Sequence, residues 1–401
     1  MYPDLSPGTK ALRAQLRAYF AEIIDDEDRE ELRRQDEGGP VFSRILRRMG
    51  KDGWLGLGWP EEYGGRGADP EALFVFYDEA IRADAPLSLV TLNTVAPTLM
   101  KHGTDEQKAY FLPRILAGEL NFAIGYTEPD AGTDLASLRT RARRDGDDFV
   151  IDGNKIFTSG AATADWIWLA CRTDPDAPRH QGISILTVPT SAPGFSVTPI
   201  VTVGGHATTA TYYDNVRVPT GHLVGELNGG WRLITDQLNH ERVALAARGG
   251  IANALFDETL AWARATPLGD GTVYDLPWVK ARLAHVYALL TASDLINLRL
   301  VADIAAGTLN GGDSGGAKVI GTETVVAVYG LLQEVLGAAG LLRPGSPGAA
   351  VAGRVEALAR RSQNNTFGGG TNEVMRELVA AKNLGMSLAA RRAAEQRKER
   401  D

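Results

Sequence analysis

At 401 residues the chain is long enough for two or three packed units with sizeable cores. Its make-up, 44% hydrophobic and 23% charged, is that of an ordinary soluble globular protein, and the net charge of −8 argues against nucleic acid as a main partner. A single cysteine, Cys171, excludes an internal disulfide and a cysteine-based metal cluster. No apolar run approaches the roughly 20 residues that span a bilayer, and the N-terminus lacks the basic-then-apolar layout of a signal peptide. A cytoplasmic address without a membrane partner is therefore expected.

From Ser6 to about Leu116 the pattern is helical, with Leu12, Leu16 and Phe20 at four-residue spacing and Ile45 and Met49 later. Ser6-Pro7 supplies an N-cap followed by proline in the first turn, and Pro70 opens another helix. His102 reads as a helix-terminus residue rather than a catalyst. From about Asn121 to Pro219 short apolar runs separated by Gly, Pro and Asp predict strands: 122–125, 166–170, 183–188 and 211–218. Residues 149–159 read as two strands around an Asp152-Gly153 turn. A compact β-barrel or sandwich is the expectation. Helices return from Gly230: 231–248, a segment to Arg264, 278–306, 317–336 and 354–384. These predict an antiparallel four-helix bundle. The fold class is α+β in three parts: 1–120 helical, 121–229 β, and 230–401 helical. The basic stretch 391–400, interleaved with Glu, reads as a solvated helix end.

Residues 125–138 stand at the centre of this layout. They follow the apolar run from Phe122 and hold Tyr126, Thr127, Glu128, Pro129, Gly132 and Thr133. Pro129 and Gly132 force a turn at a strand end, where backbone N–H groups and hydroxyls are open to an anionic or heteroaromatic ligand. On chemistry alone a surface turn would look the same. The segment resembles the Thr-Glu-Pro-x-Ala-Gly-Ser-Asp signature of the acyl-CoA dehydrogenase flavoproteins, with Thr133 in the Ser place. Four further segments in the same order resemble that family, and the resemblance covers nearly the whole chain.

The resemblance implies FAD-dependent α,β-dehydrogenation of an acyl-CoA thioester to the trans-2-enoyl-CoA. A carboxylate takes the α-proton, and the β-hydrogen leaves as hydride to the flavin. Tyr126, Thr127, Gly132 and Thr133 match the first flavin motif, Phe157, Thr158 and Ser159 the second, and Thr371, Asn372 and Glu373 the last. Phe157 stands in the place of the family's flavin-facing Trp. Thr133, Arg242 and Gly369 fall on substrate-contact positions. An electron-transfer flavoprotein is the acceptor that the family implies.

The chain also departs from the pattern. Much of the family carries its base as the Glu of a Tyr-Glu-Gly-Thr motif, and that position here is Gly369, which cannot accept a proton. Some members place the Glu just before an Arg on a C-terminal helix, and Glu241-Arg242 falls there, so Glu241 is the expected base. Homotetrameric members hold each FAD pyrophosphate partly through a neighbour's Arg and Gln. Here Ala265 takes the Arg place, with Arg264 one position off, and Glu334 takes the Gln place. A carboxylate repels pyrophosphate, and the sequence shows no guanidinium in register to offset it. The expectation is a heterotetramer in which a homologous subunit supplies the missing contacts. The departures resemble the α subunits of actinobacterial α2β2 acyl-CoA dehydrogenases of sterol side-chain breakdown, which implies a bulky steroid acyl-CoA. An oxidase or flavin monooxygenase on the same fold, and a non-catalytic partner subunit, remain open.

Overall fold

The computed structural model describes residues 4–34, 38–205, 207–240 and 250–386. Glu241, Arg242 and the basic stretch 391–400 lie outside the described residues.

The N-terminal part is helical: α1 (Pro7–Ile23), α2 (Asp26–Arg34), α3 (Pro40–Lys51), α4 (Pro70–Arg82), α5 (Ala96–His102) and α6 (Asp105–Leu116). Ser6 caps α1 by accepting the Thr9 N–H at 3.2 Å, and Asp69 caps α4 through the Ala72 N–H at 2.8 Å. The four-residue spacing places Leu16 and Phe20 in the core with Ile45 and Met49 of α3. A π-turn, Thr91–Val95, runs directly into α5. His102 closes α5, as its position in the sequence suggests.

The middle part is one eight-stranded sheet. Its strands are β1 (Phe122–Gly125), β2 (Arg141–Asp145), β3 (Asp148–Lys155), β4 (Trp166–Arg172), β5 (Ile183–Pro189), β6 (Phe195–Val201), β7 (Ala207–Pro219) and β8 (Leu223–Val224). The order is β6-β7-β3-β2-β4-β5-β8, with β1 added parallel to β4. Alternation along β4 sends Ile167, Leu169 and Cys171 into the sheet's own core, while Trp168 and Ala170 join the core shared with the N-terminal helices. Asp152-Gly153 is not a hairpin turn. β3 runs straight through it with a register shift between Ile151 and Gly153, and the hairpin lies instead between β2 and β3 at Gly146. The bulge needs glycine: Gly153 has φ +148°, and a Cβ there would lie 2.7 Å from the Thr140 Cα.

The C-terminal part comprises α7 (Gly230–His240), α8 (Gly250–Ala265), α9 (Pro277–Ala305), α10 (Gly311–Leu336), α11 (Arg354–Ser362) and α12 (Asn372–Asn383). The helix expected across 354–384 is split in two: α11 ends at Ser362, a 3-10 turn spans Gln363–Thr366, and Gly369 and Gly370 take φ of +69° and +100° before α12 begins. By length and composition Gly311–Leu341 passes for a membrane-crossing helix, with mean hydropathy 1.5, as core helices of folded domains also do. Within the fold, α10 packs against α8, α9, α11 and α12, and it carries Lys318, Glu323 and Glu334 in polar contacts with its neighbours. Only a third of the apolar window is buried, leaving Ile320 and Leu341 exposed.

Gly153→Ala is expected to destabilise the protein by about 2 kcal/mol, since it sets a Cβ against Thr140 in a strained backbone region. Urea unfolding followed by far-ultraviolet circular dichroism measures the loss.

Candidate active site

β1 carries the chain out of the sheet at residue 126. Glu128 and Ala131 then exchange backbone hydrogen bonds of 3.0 and 3.1 Å, which leaves Pro129 and Asp130 as an exposed tip. The Glu128 side chain turns inward. Its carboxylate accepts the backbone N–H groups of Arg139 at 2.7 Å and Thr140 at 2.8 Å, and the Lys155 ammonium at 2.8 Å. Lys155, fully buried at the end of β3, also donates to the Tyr126 carbonyl at 3.0 Å. One cation therefore ties the start of the loop, and one carboxylate ties its end. Burial pushes the Glu128 carboxyl up, but the Lys155 ammonium and the Thr140 N–H outweigh it and hold the group below its ordinary 4.5.

The second predicted motif is hooked to the first, because the Ile156 N–H donates to the Thr127 carbonyl at 2.9 Å. Phe157 follows with φ +59° and its ring 60% exposed. A left-handed phenylalanine costs roughly 1–2 kcal/mol. The next residue anchors it: the Thr158 N–H donates to Thr209 at 3.0 Å, and the Thr209 hydroxyl donates to the Thr158 carbonyl at 2.5 Å. The Thr158 side chain is buried against Thr211, and the Ser159 hydroxyl lies 3.0 Å from that of Thr208. Thr127 and the exposed Thr133, next to exposed Gly132, have hydroxyls with no hydrogen bond among the described residues. An exposed apolar ring near free hydroxyl donors suits a flat heteroaromatic ring, so this edge fits the FAD that the motifs imply.

Tyr126 faces another way. Its hydroxyl accepts the Trp168 indole N–H at 3.1 Å and donates to Oε1 of Gln237 on α7.

The third predicted group stands apart, on the C-terminal helices. Thr371 caps α12 through the Val374 N–H at 3.2 Å. Asn372 is 2% exposed, and its amide N–H2 donates to Thr322 at 3.0 Å and Glu323 at 3.1 Å, while its oxygen takes Lys318 at 3.0 Å. Both ends of that side chain are thus committed to α10, which leaves the backbone N–H groups at the start of α12 for a ligand. Glu373 is exposed in the first turn. Gly369 is exposed, with nothing within 4 Å of where a Cβ would stand. Among the described residues no hydrogen bond or ion pair joins 369–373 to the two sheet motifs. The expected base, Glu241, and Arg242 lie outside the described residues.

The positions expected from the sequence to face a partner also take definite form. Arg264 lies over the Tyr274 ring at 5.0 Å. Glu334 is not an isolated carboxylate, since the Arg282 guanidinium of α9 sits 2.7 Å away. This corrects the reading that no guanidinium offsets it.

Sequence reasoning gave no role to Lys155 or Gln237. Each left a signal. Lys155 ends β3 just after the apolar Phe149-Val150-Ile151 run, and Gln237 follows Leu233 and Ile234 on the buried stripe of α7.

The chain matches family models described as the N-terminal, middle and C-terminal domains of acyl-CoA dehydrogenase over residues 6–119, 123–216 and 228–384. It belongs to the acyl-CoA dehydrogenase family and is an oxidoreductase of that type. It is 50% identical to acyl-CoA dehydrogenase FadE26 of Mycobacterium tuberculosis over 397 residues, covering 96% of this chain and 99% of that one. FadE29 of the same organism is 50% identical over 387 residues, covering 96% and 98%. Among solved structures, the Tcur3481-Tcur3483 steroid ACAD is similar with TM-score 0.92 and 55% identity, covering 96% and 99%. The ChsE4-ChsE5 complex from Mycobacterium tuberculosis is similar with TM-score 0.90 and 49% identity, also covering 96% and 99%.

Lys155→Met leaves Glu128 charged and buried without its partner. It is expected to destabilise the protein by about 3–5 kcal/mol and to shed flavin, checked by thermal unfolding and flavin absorbance after gel filtration. Since the Glu128 carboxyl is held below 4.5, its contribution is fully present above that pH and is lost as pH falls through the lowered value. Flavin retention should decline on acidification below pH 4.5, and Glu128→Gln should flatten that decline.

Proposed function

We propose that this chain is the flavin-holding subunit of a heterotetrameric α2β2 acyl-CoA dehydrogenase acting on a bulky, steroid-type acyl-CoA. Gly369 carries the reading. An exposed glycine with φ +69° occupies the place where much of the family keeps its glutamate, so that loop offers no proton acceptor. Glu241 then removes the α-proton, with Arg242 beside it in the chain. FAD, when bound, supplies the hydride acceptor for the β-hydrogen. Thr127, Gly132, Thr133, Phe157 and Ser159 would hold its ring end, with Tyr126 and Thr158 fixing the backbone beneath. Thr371, Asn372 and Glu373 at the start of α12 would hold its other end, and Thr133, Arg242 and Gly369 would contact the thioester. The part limits 1–120, 121–229 and 230–401 belong to the same reading.

The steroid class rests on likeness to a complex described as a steroid ACAD, and the heteromeric state on likeness to two complexes named for pairs of components. Arg264 stacked on Tyr274, and Glu334 tied to Arg282, leave this subunit little to offer a neighbour's pyrophosphate. An electron-transfer flavoprotein as acceptor and a cytoplasmic setting follow from the family resemblance. The same Gly369 favours a second reading, a subunit without chemistry of its own.

Glu241→Gln in the assembled complex separates them. The expected result is a fall in turnover of about a hundredfold or more at unchanged flavin content. Unchanged turnover would remove Glu241 as the base and leave the non-catalytic reading standing.

A further inference from the structure

Gln237 lies on the apolar stripe of α7 with Leu233 and Ile234 and is 2% exposed. Its Oε1 receives the Tyr126 hydroxyl, whose oxygen is in turn occupied by the Trp168 indole N–H at 3.1 Å. That chain of donors orients the amide. The Nε2 end is buried and has no hydrogen-bond partner among the described residues.

Asn93 repeats the arrangement. It sits in the π-turn Thr91–Val95, is 7% exposed, accepts the Tyr77 hydroxyl on its oxygen at 2.8 Å, and carries a buried Nδ2 without a partner among the described residues. The π-turn packs against α7. Buried N–H groups are nearly always paired, and π-bulges are frequent at functional sites. Two amides, each held at its oxygen by a tyrosine and left open at its nitrogen, stand on two elements that pack together.

We infer that Gln237, with Asn93 in support, forms a hydrogen-bonding subsite for an oxygen atom of the acyl group. The substrate would then carry a hydroxyl or oxo group a few carbons from the thioester. This rests on the dehydrogenase reading proposed above. Tyr126, which orients the Gln237 amide, belongs to the flavin loop, and Gln237 precedes Glu241 by four positions in the chain. Apolar side chains of the same core include Leu92, Val95, Trp168, Leu233 and Ile234. A hydrocarbon chain against Gln237 would leave Nε2 buried and unpaired, whereas an oxygen acceptor would satisfy it. Sites built to bond a substrate oxygen reject the analogue that lacks it far more strongly than apolar pockets reject a missing methylene.

The test uses the assembled complex and pairs of CoA thioesters of equal chain length, with and without a hydroxyl on the γ, δ or ε carbon. Wild type should show kcat/KM roughly tenfold or more higher for one hydroxylated isomer. Gln237→Leu, of similar size, should abolish that preference at unchanged flavin content, and Asn93→Leu should weaken it. Equal kcat/KM for every pair in the wild type would overturn the inference. So would a Gln237→Leu enzyme that loses both members of a pair alike, the result expected if the amide only holds Tyr126 or a buried water. Should Gln237→Leu fail to fold, the preference of the wild type decides alone. Turnover of neither thioester by the wild type would instead overturn the dehydrogenase reading.

Discussion

The buried pair of Glu128 and Lys155 is the contact on which the site depends. A lysine with no solvent exposure is unfavourable unless its charge is met, and here a carboxylate and a backbone carbonyl meet it. The carboxylate in turn takes two backbone N–H groups from 139–140, so both ends of the 126–140 segment are bound to one ion pair beneath the sheet edge. The exposed tip, with Gly132 and Thr133, is shaped by what lies under it. Through Ile156 the same construction extends to Phe157, whose backbone takes φ +59° and whose ring is exposed.

The other half of the site is built differently. Gly369 stands open, Asn372 spends its side chain holding α12 to α10, and Glu334 is neutralised by its own subunit's Arg282. Among the described residues the sheet edge is densely hydrogen-bonded, and the 369–373 group makes no bond to it. A second, different chain that completes the site is the proposed reading. Arg282 beside Glu334 makes that surface less repulsive toward phosphate than the bare sequence implies.

Much of the fold was legible. Four-residue spacing marked α1 and α3, cap residues marked the starts of α1 and α4, and short β-rich runs marked β1, β4, β5 and β7. Where the sequence misled, glycine was the cause. Gly153 looked like a hairpin turn and is a bulge, because Thr140 approaches its backbone from β2's side, a long-range contact with no local trace. Gly369 and Gly370, past the end of α11, stand in the break of a helix that periodicity alone would have continued. In the site, each motif on the sheet edge was legible from its own turn residues, while the Ile156–Thr127 bond that joins the two motifs was not. The pairing of Glu128 with Lys155, of Gln237 with Tyr126, and of Glu334 with Arg282 spans long sequence separations. Each needed the tertiary structure to appear.

The most direct measurement is the flavin-to-protein ratio, with mass, of the purified chain alone and co-expressed with a homologous dehydrogenase subunit. The account predicts little flavin alone and one flavin per heterodimer together. One flavin per chain in a homotetramer would contradict it.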